Sequence, residues 1–205
     1  MIRLDAEVVE KFGALLADPP WHFRVWSKKG AGRSATRHYP IMETDDICKL
    51  NVPSLCAKDC VLFLWATPPC IEAAFRVISA WGFTYKTVGF TWVKTTTNGL
   101  LHWGMGYWSR ANTELCLLAT RGHPVRQARN VHSVIISPVR EHSRKPDEQY
   151  ERIERLVDGP YMELFARFAH PGWTSWGNEV CSELDRPKQV VVSKDGIEDI
   201  GEGVE

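Results

Sequence analysis

The chain has 205 residues, of which 44% are hydrophobic and 24% are charged, with a formal net charge of zero. That length is suited to one domain whose core needs no disulfide or metal for its stability. No apolar run reaches the roughly 18 residues of a membrane-spanning helix, and residues 1–20 lack the pattern of a secretory signal. We therefore expect a cytoplasmic protein without a membrane segment.

Short apolar runs alternate with helix-like stretches, and this pattern predicts an α/β fold with a largely parallel sheet. In chain order, strands are predicted at 12–17, 61–65, 83–94, 114–119, 131–136, 161–165 and 173–176. Because Pro favours the first turn of a helix and Gly the position after its end, helices are predicted at 44–50, with Thr44 as its cap, at 68–82 and from Lys145 onward. Long stretches without periodicity are typical of functional loops, and here they are 22–42, 95–112 and 121–130.

The zero net charge hides a separation of charges along the chain. Positions 1–178 hold 22 basic and 17 acidic residues, a net charge of +5, whereas 179–205 hold eight acidic and three basic residues, a net charge of −5. We predict a folded domain over 1–181 and a flexible acidic tail over 182–205. Segments 21–40 and 121–145 are rich in Lys and Arg. They are typical of a surface facing a polyanion, although a solvated surface that merely lacks acids explains them equally well.

The six cysteines form no CxxC pair and no Cys/His cluster with the spacing of a zinc site. Three of them, Cys60, Cys70 and Cys116, lie within apolar runs, where a thiol usually packs as a small hydrophobic group. We expect buried, reduced thiols and no metal.

The segment Asp18-Pro19-Pro20-Trp21 directly follows the first predicted strand, at the end of the sheet where α/β proteins bind their ligands. The exocyclic amine of a nucleobase is a poor nucleophile because its lone pair is delocalised into the ring. The Asp18 carboxylate and the Pro19 carbonyl can each accept one N–H of such an amine. Together they would orient the amine and stabilise the positive charge that develops on it during methylation.

The other residues of this motif fit the same chemistry. The prolines stiffen the turn, and Trp21 offers a flat face on which a flipped-out base can stack. A plain strand-ending turn, with Asp18 as a cap and Trp21 packed inside, is the alternative for the isolated motif. Methyltransferases that act on cytosine amines share a looser form of it.

Several further segments, together with this motif, resemble an adenine methyltransferase family in the same order along the chain. This family contains the catalytic subunit of the eukaryotic messenger-RNA adenosine methyltransferase and its bacterial and phage relatives. The matching segments are ADPPW at 17–21, residues 39–47, FLW at 63–65, WVKT at 92–95, KPDE at 145–148, ELFAR at 163–167 and WGNE at 176–179. The resemblance implies a Rossmann-like methyltransferase fold that uses S-adenosylmethionine, with a permuted motif order in which the catalytic motif precedes the cofactor-binding part.

The resemblance also implies a cofactor site. Asp18 would lie close to the amino group of the methionine part, and Lys145 would hold its carboxylate. Arg167 would lie near the ribose hydroxyls, with His170 as a further candidate there. The adenosine of the cofactor would be reached by Asn178 and Glu179. The chain departs from the family in lacking a clear counterpart of an earlier acidic contact to the cofactor.

On the substrate side, the resemblance assigns Tyr39 to the target adenosine. The cations around it would meet phosphates, and they are Lys28, Lys29, Arg33 and Arg37. By the same resemblance, loops 22–42 and 138–146 lie beside the site, and we expect them to become fully ordered only with a ligand bound.

These observations predict an enzyme that methylates the N6 amine of adenine in DNA, in a bacterial or phage-infected cell. DNA is favoured because a compact chain without zinc fingers resembles the bacterial and phage members, which mostly modify DNA. RNA is an alternative, since a flipped adenosine presents the same edge in either polymer. A non-catalytic subunit that binds nucleic acid and a cytosine-amine methyltransferase are further alternatives. A homodimer is also expected, because one chain offers a small surface to clamp a duplex.

Overall fold

A computed structural model describes residues 11–22, 41–104, 106, 108–141 and 144–177. These residues form a seven-stranded sheet with α-helices on both faces. The strands are β1 (Phe12–Ala17), β2 (Cys56–Ala66), β3 (Thr84–Thr95), β4 (Thr113–Arg121), β5 (Val134–Pro138), β6 (Tyr161–Leu164) and β7 (Trp173–Trp176). The helices are α1 (Thr44–Cys48), α2 (Ile71–Ala80) and α3 (Glu148–Leu156). The tail predicted at 182–205 and most of the loop predicted at 22–42 lie outside the described residues.

The strand order is β5-β3-β4-β2-β1-β6-β7. Every pairing is parallel except those of β4, which runs antiparallel to both β2 and β3. The largely parallel sheet predicted from the sequence is therefore confirmed. Because β4 returns directly from β3 as a hairpin, it begins at the edge of the sheet where the other strands end.

Both faces of the sheet are buried. Along β1, Leu15 and Ala17 pack into the cluster that includes α1 and α2, whereas Ala14 and Leu16 pack into the cluster on the α3 face. Strands buried on both faces are nearly continuous apolar runs, which is why 12–17 and 61–65 were recognisable without an alternating pattern.

Several element boundaries differ from the predicted ones. The 44–50 helix is α1, but Glu43 is its N-cap residue and Thr44 is its first helical residue, so the prediction that Thr44 caps it was wrong. In the 68–82 helix, Pro68–Cys70 form a 3₁₀ turn before α2. Gly82 follows with φ of 76°, a conformation that a side chain at this position would disfavour. β2 begins before the predicted 61–65 run, and β5 begins after position 131.

The second basic segment, 121–145, is divided between the two ends of the sheet. Residues 121–130 follow β4 and lie on the side of the sheet where the parallel strands begin. Gln127 and Ala128 donate backbone hydrogen bonds to the last turn of α3. Arg126 and Arg129 are exposed there. Residues 138–145 emerge from the other end of the sheet, after β5. The segment is therefore not one continuous surface.

The five described cysteines are free thiols, and Cys60, Cys70 and Cys116 are buried as predicted. Within the described ranges, no group of three His, Cys, Asp or Glu side chains is arranged to hold a metal ion. No helix of the described chain is long and apolar enough to cross a membrane.

Candidate active site

The carboxyl ends of the parallel strands bring four charged side chains together, of which Asp18 and Lys145 belong to the predicted site. Asp18 follows the last residue of β1, Lys94 lies near the end of β3, and Lys145 lies between β5 and α3. Glu114 is the second residue of β4, and it reaches the same edge because β4 runs in the opposite direction. Four strands thus contribute alternating charges to one place.

The four side chains form a chain of ion pairs. Lys145 Nζ lies 2.7 Å from Asp18 Oδ2 and 3.2 Å from Glu114 Oε2. The other carboxylate oxygen of Glu114 pairs with Lys94 Nζ. The side chains of Lys145 and Glu114 are 8% and 5% exposed, whereas that of Asp18 is 23% exposed. The charges of the two carboxylates and the two ammonium groups therefore cancel at the edge of the core.

This balance keeps the buried members charged. Burial alone would lower the pKa of Lys145, but the carboxylates of Asp18 and Glu114 more than reverse that effect and raise the pKa above its ordinary value. Burial alone would likewise raise the pKa of Glu114, and the ammonium groups of Lys145 and Lys94 bring it below its ordinary value. Removing any one of these charges would leave a buried partner uncompensated.

The turn after β1 is held by backbone bonds. The Pro19 carbonyl accepts the Trp21 N–H at 2.8 Å, and the Pro20 carbonyl accepts the Met42 N–H at 3.0 Å. A carbonyl oxygen has two lone pairs, so Pro19 retains a position for a second donor. Each of these bonds fixes the direction in which Asp18 leaves the sheet.

The indole of Trp21 is 6% exposed and belongs to the core cluster on the α1 and α2 face. Its Nε1 donates to the backbone oxygen of Trp65 at 2.9 Å. The flat stacking face predicted for Trp21 is therefore covered in this conformation. Its contribution in the structure is to tie the turn after β1 to the end of β2.

Trp65 forms part of the wall beneath Lys145. Its Nε1 donates to Gln149 Oε1 at 2.6 Å, and the ammonium of Lys145 lies 5.7 Å from its ring centroid. That distance is within the range of a cation–π interaction. The indole therefore adds a contact to the lysine ammonium beside those of the two carboxylates.

An open pocket of about 260 Å³ lies beside this charge chain. Asp18 and Lys145 line one side of it, and residues after β6 line the other, namely Phe165, Arg167, Phe168, Ala169 and His170. Phe165 has φ of 62°, an uncommon conformation for a residue with a side chain, and it turns the chain around the pocket. Gly177 is required behind this turn, since a Cβ there would meet the Ala166 oxygen at 2.0 Å.

Glu163, Tyr150 and His170 form a second polar group in the pocket wall. The Tyr150 hydroxyl donates to Glu163 Oε2 at 3.0 Å, and the Tyr150 ring stacks on His170 with centroids 3.9 Å apart. Burial raises the pKa of Glu163 to about 7. This carboxyl group therefore changes its charge near neutral pH.

The main chain of Lys145 is held by its own loop. The guanidinium of Arg140 makes two hydrogen bonds to the Asp147 carboxylate, at 2.7 and 3.1 Å, and also donates to the Lys145 carbonyl. Arg144 approaches Asp147 at 3.2 Å and lies 4.8 Å over the Phe168 ring. The first pairing ties Arg140 to Asp147, and the second connects Asp147 and Arg144 to Phe168, which lines the pocket.

Asp18, Lys145, Arg167 and His170, which the sequence singled out, all line this one pocket. Pro19, Pro20 and Trp21 follow Asp18 but do not line the pocket. The remaining predicted site residues lie outside the described residues: Lys28, Lys29, Arg33, Arg37, Tyr39, Asn178 and Glu179. The sequence analysis did not identify Glu114, Lys94 or Glu163 as members of the site. A charged residue at the start of a strand usually marks only its boundary. Had the β3–β4 hairpin been recognised, it would have placed Glu114 beside Lys94.

The sheet and its pocket define a Rossmann-like methyltransferase domain. Residues 12–179 match the MT-A70 family. The chain belongs to the MT-A70 family, as the resemblance predicted, and MT-A70 methyltransferases use S-adenosylmethionine as methyl donor.

The chain is similar to relatives from distant organisms. It is 37% identical over 181 residues to the N(6)-adenosine-methyltransferase MT-A70-like of Arabidopsis thaliana, covering 85% of this chain and 24% of that protein. It is 32% identical over 183 residues to the human N(6)-adenosine-methyltransferase catalytic subunit METTL3, covering 86% of this chain and 30% of that protein. It is 31% identical over 189 residues to the Type II methyltransferase M.MunI of Mycoplasma sp, covering 83% of this chain and 78% of that protein. The chain thus spans about a quarter of the length of the plant relatives that it matches.

Proposed function

We propose that this protein transfers a methyl group from S-adenosylmethionine to the exocyclic N6 amine of adenine in DNA. The observation that carries the proposal is the Asp18 carboxylate, held after a Pro-Pro turn and paired with Lys145 at the mouth of an open pocket. An acceptor held in this way suits an amine whose positive charge grows during the reaction.

The residues of the pocket fit the methyl donor. The amino-acid end of S-adenosylmethionine carries one positive and one negative group, and Asp18 and Lys145 offer the opposite charges side by side. Arg167, Tyr150 and Glu163 supply polar groups on the remaining wall, where hydroxyls of a ribose would find donors and acceptors. When bound, the cofactor supplies an electrophilic methyl group on a sulfonium.

The protein's contribution is orientation and charge stabilisation. Asp18 accepts one N–H of the amine and the Pro19 carbonyl accepts the other, so that the lone pair on nitrogen faces the methyl group. As the nitrogen becomes positive, the carboxylate stabilises it without reorganising, because the backbone bonds of Pro19 and Pro20 already fix the turn. Lys145 would hold the carboxylate end of the cofactor.

One comparison supports DNA as the nucleic acid that is methylated. The match to the Type II methyltransferase M.MunI of Mycoplasma sp covers 78% of that protein, and the sequence resemblance favours the bacterial members of the family, which mostly modify DNA. The relatives named adenosine methyltransferases support the base and the amine. RNA is the second candidate, because the human and plant proteins are adenosine methyltransferases by name and match nearly the same stretch.

The test uses purified protein, isotopically labelled S-adenosylmethionine, and separate samples of duplex DNA, single-stranded DNA and RNA, followed by nucleoside mass spectrometry. We expect N6-methyldeoxyadenosine, and at least about a 100-fold loss of rate in Asp18→Asn. The matched control is Asp45→Asn, an exposed aspartate on α1, which should retain the wild-type rate.

Each alternative gives a different result. N6-methyladenosine formed only in RNA would keep the mechanism and replace the polymer, whereas methylcytosine would overturn the choice of base. Cofactor binding without any product would favour a non-catalytic subunit, a reading that the retained Asp18 and Lys145 disfavour. A homodimer also remains a prediction, and sedimentation of the purified chain tests it.

A further inference from the structure

Lys145 has two carboxylate partners, and they differ in their exposure. Asp18 faces the pocket and its side chain is 23% exposed, whereas Glu114 is 5% exposed and does not line the pocket. If Asp18 accepts a hydrogen bond from the target amine, its interaction with Lys145 weakens. With Asp18 turned to the substrate, the buried ammonium would otherwise depend on the proposed cofactor carboxylate to keep its position and charge.

Glu114 removes this conflict because it remains paired when Asp18 turns to the substrate. Its Oε2 lies 3.2 Å from Lys145 Nζ, and no movement of the pocket is needed to keep that contact. Glu114 alone, however, would place a second negative charge close to Asp18 around one ammonium. Two carboxylates sharing one cation repel each other, and one of them tends to take up a proton.

The positive charge of Lys94 offsets the repulsion between the Asp18 and Glu114 carboxylates. The Lys94 ammonium pairs with the other oxygen of Glu114, and its side chain is 16% exposed. The network thus contains two carboxylates and two ammonium groups in alternation. Since β3 and β4 form a hairpin that pairs Val93 with Thr113, the backbone fixes Lys94 and Glu114 next to each other before any ligand arrives.

We infer that Lys94 and Glu114 are a positioning pair: they hold Lys145 in place and charged while Asp18 is engaged by the target amine. The inference rests on the proposed function, because it requires Asp18 to serve both Lys145 and the substrate. Neither member of the pair needs to touch the cofactor or the base, since both act through Lys145.

The test compares variants that remove one charge with variants that preserve it. Glu114→Gln and Lys94→Met should lower kcat at saturating cofactor and DNA by about 10-fold or more, and they should also raise the Kd for S-adenosylmethionine, because Lys145 is proposed to hold the cofactor carboxylate. Lys94→Arg keeps the charge and should retain most of the wild-type kcat. The matched controls are Lys86→Met, exposed near the start of β3, and Glu151→Gln, exposed on α3; both should be unchanged.

A second measurement does not depend on turnover. Acetic anhydride labelling followed by peptide mass spectrometry reports how readily the Lys145 amine reacts. The rate at Lys145 should rise several-fold in Glu114→Gln, because an ammonium with fewer anionic partners loses its proton more easily. It should fall in Lys94→Met, because removing the neighbouring ammonium leaves both carboxylates to Lys145. It should not change in Lys94→Arg or in either control.

The outcomes separate this inference from the proposed function. A wild-type protein that makes no methylated adenine would refute the proposed function, while the labelling would still decide whether the pair holds Lys145. Unchanged kcat and unchanged labelling in Glu114→Gln and Lys94→Met would overturn the inference. A loss in Lys94→Arg as large as that in Lys94→Met, or a loss of thermal stability that accounts for the whole loss of kcat, would show that the pair is only structural.

Discussion

Glu163 lies at the carboxyl end of β6, buried, with the Tyr150 hydroxyl donating to it at 3.0 Å. Burial outweighs that hydrogen bond and raises its pKa from 4.5 to about 7. Between these two pH values the folded chain binds one more proton than the unfolded chain. The stability contributed by this proton is therefore fully present below about pH 4.5 and is lost as the pH rises through 7.

This difference predicts a pH-dependent stability that a single substitution removes. Glu163→Gln keeps an acceptor for Tyr150 but cannot ionise. Between pH 5 and pH 8 the wild-type protein should lose about 2 kcal/mol of unfolding free energy relative to the variant. Urea denaturation at the two pH values measures the difference. Equal losses in both proteins would show that Glu163 does not titrate in this range.

The site residues that could be predicted from the sequence are those whose immediate neighbours in the chain form a recognisable motif. Asp18 stands beside two prolines, and Lys145 stands before a Pro-Asp helix start, so each was recognisable without knowing the topology. Glu114, by contrast, is an ordinary charged residue at a strand start until an antiparallel strand places it beside Lys145. Its role depends on contacts 31 residues away in the chain, which no local pattern records.

At the scale of elements, the loop between β5 and α3 positions Lys145 through its backbone. Arg140 bonds both Asp147 and the Lys145 carbonyl, and this forked pairing lowers the pKa of the Asp147 carboxylate below its usual range. A guanidinium makes these parallel bonds because it is planar, whereas an ammonium cannot make them. The loop therefore depends on the shape of this side chain as well as on its charge.

We predict that Arg140→Gln weakens S-adenosylmethionine binding by about 10-fold, because the Lys145 main chain loses its anchor. Arg140→Lys should fail to restore the affinity. Isothermal titration calorimetry measures both. Arg155→Gln, at the other end of α3, is the control, since its side chain is half exposed and its contact with Glu151 is 4.0 Å long. Wild-type affinity in Arg140→Lys would contradict the role given to the two parallel hydrogen bonds from the Arg140 guanidinium to Asp147.

The elements themselves were largely predictable because their cores are apolar on both faces. The run at 12–17 is β1 without a change, whereas the predicted 61–65 strand extends back to Cys56 through Lys58 and Asp59. Those two charged residues interrupt the apolar run, but the strand pairs with its neighbours on both sides of them, at Cys56 and again from Cys60 onward. Hydrogen bonding between strands, which a single sequence does not display, sets the true boundary.

At the scale of the whole molecule, the structure divides the cations that the sequence grouped together. Arg126 and Arg129 are exposed at the sheet edge opposite the pocket, whereas Arg140, Arg144 and Lys145 lie on the pocket side. A nucleic acid that delivers a base to Asp18 approaches the pocket side. Phosphate contacts are therefore expected from cations near the site and not from those of the 121–130 segment.

This division predicts which cations determine the salt dependence of DNA binding. Each phosphate contact releases counterions, and the slope of log K against log salt falls by about one unit for each contact removed. Replacing Lys28, Lys29, Arg33 and Arg37, which the family resemblance assigns to phosphates, with Gln should reduce the slope by about 4, whereas Arg126→Gln with Arg129→Gln should change it by less than about 1. Fluorescence anisotropy of a labelled duplex at several salt concentrations measures both. An equal reduction in the two variants would mean that the far edge of the sheet also contacts DNA, and the proposed approach of the duplex to the pocket side would then be wrong.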